Sequence, residues 1–257
     1  MSRESVLDTV NKRAYASRGV VRWYADLDSL IKPEEVLLAK LLPHIKDKKI
    51  LDVGIGGGRT TKFLLEISED YTGIDYTPES VEIVRRKYPG ANVLCRDARD
   101  LTVFADDTFD FVLVSFNSLD YVNHEGRIKA LTEMHRVLRP GGFFMFSTHN
   151  RDYKYFNKLP WQEKARLDLT HLKSCLYTLY YLPKHLGMKR REVHAREYAI
   201  INDNAHEYSL LTYYIGIGRQ VKQLEDVGFV SVEAYDMEGR PVSSDTDFPW
   251  TYYLARK

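Results

Sequence analysis

The stretch ILDVGIGGGRTTKFLL, residues 50–65, sets four glycines, Gly54, Gly56, Gly57 and Gly58, between the end of a buried strand and the opening of a helix. Glycine there permits a tight turn and close approach of a ligand, while free N–H groups at the helix start favour anionic or polar ligand atoms. One carboxylate, Asp52, stands two residues ahead of Gly54, and another, Asp75, follows it by 21 residues at the end of the strand YTGID. A carboxylate at the second place accepts hydrogen bonds from both hydroxyls of a ribose, which points to an adenosine-containing ligand. A dinucleotide fingerprint, G-x-G-x-x-G, needs a third glycine for close helix packing. Counted from Gly54 and Gly56, that position is Arg59, a bulky cation that fits nicotinamide or flavin binding poorly.

The loop needs a scaffold, and the rest of the chain reads as one. Residues 29–42 carry apolar side chains at helical spacing, and Pro43 with the turn KDKK leads into the first strand. Residues 71–75 form a second strand, 78–88 a helix with Pro78 in its first turn, and 92–95 a third strand. FDFVLVSF, residues 109–116, is almost wholly apolar, as a strand covered on both faces should be. An amphipathic helix at 126–138, a turn at Pro140, Gly141 and Gly142, and a strand at 143–148 complete the alternation. Such alternation argues for an α/β, doubly wound, mostly parallel sheet with right-handed crossovers. Residues 150–196 then read as helical with breaks near Pro160, Pro183 and Gly187, residues 197–215 as two β-rich runs, and 219–227 as a helix before two closing strands.

The pattern Asp52-x-Gly54-x-Gly56-x-Gly58 resembles the first motif of the class I S-adenosylmethionine-dependent methyltransferases, closely over residues 44–149 and more loosely over 216–257. HRVLRPGGFFMF, residues 135–146, matches a scaffold pattern of that family. The resemblance implies a seven-stranded sheet whose last strand is antiparallel, with S-adenosylmethionine as cofactor. It also implies an N-terminal helical lid over residues 1–43, a cofactor-binding core over 44–149, an acceptor-side insertion over 150–215, and a closing helix and strands over 216–257. It assigns Asp75 to the ribose, Tyr76 to the adenine face, and Asp97 with Ala98 to the adenine amine. Ser115, Phe116 and Asn117 fall beneath the methionine moiety, and Tyr15 and Tyr24 in the lid. Helix-start packing for Tyr76 and a pair with Arg96 or Arg99 for Asp97 are the alternatives, and Arg59 is expected to be a solvated helix-start residue.

Methyl transfer from a sulfonium is an in-line displacement, so alignment, water exclusion and one proton are the enzyme's tasks. Open α/β folds bind ligands beyond the carboxyl ends of their strands, which selects Asn117, Asp120, Tyr121, His149 and Asn150. Histidine titrates near neutrality, so His149 is the candidate base for a hydroxyl or ammonium acceptor, or a turn-holding residue. Asp120 is the candidate anchor for an amine, or a helix cap. Tyr153, Tyr155, Trp161, Tyr177, Tyr180, Tyr181, Tyr208, Tyr213 and Tyr214 offer walls for an aromatic pocket, of which two or three should touch a ligand.

The bulk numbers narrow the partners. With 37 basic and 36 acidic residues among 257, no global field recruits nucleic acid or membrane. The basic run 184–196 reads as a solvated helix face. Cys95 and Cys175 have no metal spacing, no apolar stretch reaches spanning length, and a soluble cytoplasmic enzyme acting on a small molecule, without metal, is the expectation.

Overall fold

The computed structural model describes residues 3–162, 169–243 and 247–257. Three helices, α1 (Arg3–Tyr15), α2 (Arg18–Ala25) and α3 (Lys32–Ile45), precede the sheet. Then come β1 (Ile50–Val53), α4 (Thr61–Ile67), β2 (Tyr71–Asp75), α5 (Pro78–Lys87), β3 (Asn92–Cys95), β4 (Phe109–Val114), α6 (His124–Val137) and β5 (Leu138–Asn150). The chain continues through α7 (Leu169–Lys189), β6 (Val193–His194), β7 (Tyr198–Ile201), β8 (Thr212–Ile215), α8 (Ile217–Val227), β9 (Val230–Tyr235), β10 (Pro241–Val242) and β11 (Trp250–Arg256).

The first five strands pair in parallel in the order β3-β2-β1-β4-β5, and β11 continues the sheet antiparallel between β5 and β9. Alternating side chains explain why β4 is apolar throughout. Phe111 and Leu113 point to the face covered by Leu37 and Leu41 of α3 and Val84 of α5. Val112 and Val114 point to the opposite face, covered by Leu131 and Met134 of α6 and Leu224 of α8.

The sheet is larger than the seven strands expected. The insertion contributes β6, β7 and β8, and β8 joins the end of β5 in parallel, pairing Tyr214 with His149 and Ile215 with Asn150. Two expected helix ends are also corrected. Helix α3 runs past Pro43, and α7 runs past Pro183 and Gly187 without a break. Proline removes one hydrogen bond to the carbonyl four residues back, and at Ala39 and Leu179 that carbonyl lies on an exposed residue, where losing the donor costs less than it would in the core. Residues 163–168, part of the expected insertion, lie outside the described residues.

One buried side chain ties the carboxyl end of the sheet together. Arg127 of α6, fully buried, bonds Leu119 O at 3.1 Å, Asp120 Oδ1 at 2.5 Å and Thr148 Oγ1 at 3.1 Å. From α8 it takes Gln220 Oε1 at 2.8 Å and Gln223 Oε1 at 3.1 Å. A guanidinium offers five donors in a fixed fork, and here they join a helix, a turn, a strand and a second helix. Arg127→Leu leaves the Asp120 carboxylate buried without its cation, so urea unfolding should show a loss of about 3 to 5 kcal/mol; a loss under about 1 kcal/mol would count against this reading of the network.

Candidate functional site

A cavity opens along the carboxyl ends of β1, β2 and β3, floored by the glycine loop and roofed by α1 and α2. Gly54 adopts φ +76°, and a Cβ there would meet Ser118 at 2.7 Å; at Gly57 it would come within 2.5 Å of Ala25 Cα. Glycine is required at both because the loop is pressed between the turn after β4 and the end of α2. Gly54, Gly56, Asp75, Tyr76, Asp97, Ala98, Ser115, Phe116, Tyr15 and Tyr24 all line this cavity. Three residues singled out from the sequence do not reach it. Asp52 lies under the loop, accepting from Thr60 Oγ1 at 2.7 Å and Tyr71 OH at 3.1 Å. Gly58 packs against Tyr88 and Val84 of α5, and Asn117 turns toward His149.

Asp75 Oδ2 accepts from Gly56 N at 2.9 Å, and Oδ1 from Thr77 N and Oγ1 at 2.8 and 2.5 Å. These bonds aim the carboxylate and leave it further acceptor capacity. Asp97 takes the pairing with Arg99 that stood as its alternative: Nε and Nη2 reach it at 2.9 and 2.7 Å. Burial opposes the charged form, but the Arg99 guanidinium holds the Asp97 carboxyl below its ordinary value. Arg99 also grips Asp8 of α1, so one fork fastens the roof to the third strand's end.

Arg59 is the clearest departure from expectation. It is buried, not solvated, because Glu34 of α3 meets it bidentately at 2.5 and 2.7 Å, with Ser29 O and Ser115 Oγ as further partners. Glu34 also accepts from Ser115 Oγ at 2.6 Å and Tyr252 OH at 2.8 Å. Burial raises its carboxyl, yet Arg59 wins and holds it below the usual range. The guanidinium stacks 4.8 Å from the Phe116 ring centroid and lines the cavity. Glu34 carries a sequence signal, an acid three residues into a helix after Ile31, whose N–H it caps at 3.1 Å.

A second cavity lies on the other side of Phe116. Tyr24, Phe116 and Tyr121 line both cavities and form their shared wall. Phe116 and Asn117 hold φ of +55° and +58°, a rare left-handed pair that turns the chain sharply after β4 and sets the ring between the two spaces. Of the aromatic residues named from the sequence, Tyr153, Tyr155, Tyr208 and Tyr214 line the second cavity. Tyr213 is buried in a stack with His124 and Tyr198, while Trp161, Tyr177, Tyr180 and Tyr181 lie outside the lining. Trp250, Phe156, His206 and Asp203 also line it and had not been singled out.

His149 faces this second cavity. Its Nδ1 lies 2.7 Å from Asp120 Oδ2, and its backbone N–H donates to the same oxygen at 2.8 Å. Asp120 itself is fully buried and reaches neither cavity. A carboxylate accepts only, so Nδ1 carries the proton in this pair and Nε2 is left as the acceptor nitrogen. Asn117 Nδ2 stands 3.5 Å from Nε2.

Residues 50–142 match the family model of a methyltransferase domain. A ubiquinone/menaquinone biosynthesis C-methyltransferase of Geobacter is 32% identical over 205 residues, 74% of each chain. The chain belongs to the S-adenosylmethionine-dependent methyltransferases. A fatty-acid O-methyltransferase of Mycolicibacterium smegmatis is 33% identical over 128 residues, and the match spans 48% of this chain but less than half, 44%, of that relative's length. The fold is shared with the Burkholderia thailandensis 1,6-didemethyltoxoflavin-N1-methyltransferase, solved with S-adenosylhomocysteine bound, at a TM-score of 0.54 and 16% identity over 88% of this chain and 76% of that one.

The first cavity has the donors and acceptors that the family's cofactor needs. Asp75 and Asp97 offer carboxylates of the kind that accept from hydroxyl and amine groups, and Ile74, Ala98 and Leu119 supply apolar walls. For this methyltransferase, Asp75→Ala should weaken S-adenosylhomocysteine binding in calorimetry by about 1.5 to 3 kcal/mol, the worth of hydrogen bonds to a charged group; unchanged affinity would place the ribose elsewhere. Asp52 yields a separate test. Burial pushes its carboxyl up to about 6 despite the Thr60 and Tyr71 hydroxyls. The folded state then binds a proton more readily than the unfolded chain, so stability is gained as pH falls through that value and lost as it rises. Asp52→Asn imitates the protonated acid, and should raise the melting temperature near about pH 7.5 and much less near about pH 5; an equal effect at both would show that Asp52 does not titrate there.

Proposed function

We propose that the protein transfers a methyl group to an N or O atom of a small-molecule acceptor held in the aromatic cavity beside Phe116. S-adenosylmethionine supplies the methyl group as a sulfonium, whose departure in a displacement needs no further activation. The chain's residues do the remaining work. Asp75, Asp97 and Arg59 bind and orient at the first cavity, and Tyr24, Phe116 and Tyr121 form the partition across which the acceptor must meet the methyl group. Tyr15 and Tyr121 are half-buried at the cavity walls, and desolvation pushes both phenols well above their ordinary value, so they stay protonated and serve as donors.

His149 is the proposed base: Asp120, fixed by Arg127 and Thr148, holds Nδ1, and Nε2 receives the acceptor's proton. The observation that carries this reading is the shared wall, which sets His149 in the cavity adjoining the first, with Nε2 contacted only by Asn117 among the described residues. Three lines support a small molecule over RNA or protein: the aromatic lining, the near-neutral charge, and a neighbour of the same fold solved with the small molecule 1,6-didemethyltoxoflavin bound. The division into an N-terminal lid, a core, an insertion and a closing unit follows the same logic, with the lid and insertion closing the two cavities. Carbon methylation of a hydroxylated ring is the second reading, favoured by the quinone C-methyltransferase relative, and would use the same base on the ring hydroxyl.

Incubation with methyl-labelled S-adenosylmethionine and pools of small hydroxyl-, amine- and phenol-bearing compounds tests the proposal, with label expected in one pool and the product's carbon spectrum assigning the atom. Label only in RNA or protein would overturn it. His149→Ala should lower kcat by roughly a hundred- to ten-thousand-fold with cofactor affinity nearly intact. Full activity near neutral pH would reduce His149 to a turn-holding role.

A further inference from the structure

Helix α7 buries one row of side chains and leaves the opposite row to solvent. On the inner side Thr178 meets Tyr208 OH at 3.0 Å, His185 Nδ1 meets Asn202 Oδ1 at 2.9 Å, and Met188 joins the small core around β7 and β8. On the outer side Leu169, Leu172, Leu176, Leu179 and Leu186 recur three and four residues apart, or multiples of that spacing, each 54% to 75% exposed. Tyr180, 76% exposed, borders the row. A contiguous row of leucines turned outward on one helix is not what a freely dissolved surface presents.

The charge of the same segment says what covers it. Residues 169–191 contain five cations, Lys173, Lys184, Lys189, Arg190 and Arg191, and no acid, in a chain whose net charge is +1. Among the described residues, two acids near this segment are engaged elsewhere: Glu192 accepts from Asn202 N, and Glu207 bonds Tyr181. Two copies of α7 laid face to face would set cations against cations with no carboxylate between them. An anionic, apolar surface satisfies both halves of the pattern.

We propose that α7 docks the protein on an anionic lipid bilayer, lying in the interfacial plane with its leucines at the acyl boundary and its cations among the headgroup phosphates. No helix among the described residues is long and apolar enough to cross a membrane, and none is needed, because an interfacial helix is marked by its two faces and not by spanning length. The balanced net charge, together with the lack of a spanning stretch, is why the sequence leads to no membrane partner.

The test is co-sedimentation of the full chain with vesicles of phosphatidylcholine alone and of phosphatidylcholine mixed with phosphatidylglycerol. Binding is expected to the mixed vesicles, to weaken with salt, and to fall by roughly fivefold for each cation removed in Lys173→Gln and Arg190→Gln. The triple variant Leu172→Glu, Leu176→Glu, Leu179→Glu should abolish binding while circular dichroism shows the fold retained, as expected of changes confined to exposed side chains. Absence of binding to mixed vesicles, or binding unchanged in the triple variant, overturns the proposal. So does a wild-type dimer in analytical ultracentrifugation that the triple variant converts to monomer without any vesicle binding, which would make the row a contact between copies.

Discussion

The pair formed by Arg127 and Asp120 is the interaction on which the site depends, because it sits where four elements meet and none of them can be positioned without it. A guanidinium at zero exposure is costly unless every donor is used, and here the donors go to the turn after β4, to β5 and to α8. What that arrangement secures is direction. With Asp120 Oδ1 committed to Arg127 and Thr148, Oδ2 is left to take both the backbone N–H and the Nδ1 of His149. The orientation of one imidazole is thus set by an arginine that lines neither cavity.

A second buried arginine repeats the device on the other side of the wall. Arg59 and Glu34 bring α3 to the glycine loop and the end of β4, and the guanidinium plane backs the Phe116 ring. Phe116 is therefore held between a cation on the side of the first cavity and Trp250, 5.0 Å away centroid to centroid, on the side of the second. Its left-handed backbone would cost about 1 to 2 kcal/mol in isolation. Packing from both cavities keeps it there, which is how a bulky residue comes to occupy a turn that ordinarily favours glycine or asparagine.

What was legible in the sequence was whatever depended on local periodicity. The glycine loop, Asp75 two strands in, and the fully apolar β4 follow from spacing along the chain, and the parallel order of the first five strands follows from their alternation with helices. Partnerships between distant residues left no such trace. Arg59 looked solvated because its counterion lies 25 residues earlier in a helix whose placement the sequence does not encode locally, and Arg127 looked like any amphipathic-helix cation. The run of α7 through Pro183 was hidden for a different reason: a proline is tolerated where the freed carbonyl faces water, and exposure is a tertiary property. Asp203, His206 and Trp250 converge on the second cavity from a loop and a strand end, a convergence that no spacing rule reports.

The two cavities are not independent, and the reason is again a single buried polar side chain. Asn11 of α1 donates to Tyr121 O at 2.9 Å and to Leu211 O at 2.8 Å, and accepts from Leu211 N at 2.9 Å. The roof of the first cavity is thereby hydrogen-bonded to the loop that leads into β8 and to the turn carrying Tyr121, which walls both spaces. Arg99 holds the same roof from the other end through Asp8 and Asp97. Any displacement of α1 must break bonds to the strand ends beside the first cavity and to the loop before β8 together, since amides buried in low dielectric do not give up such bonds separately at small cost. One set of hydrogen bonds therefore fixes walls of both cavities.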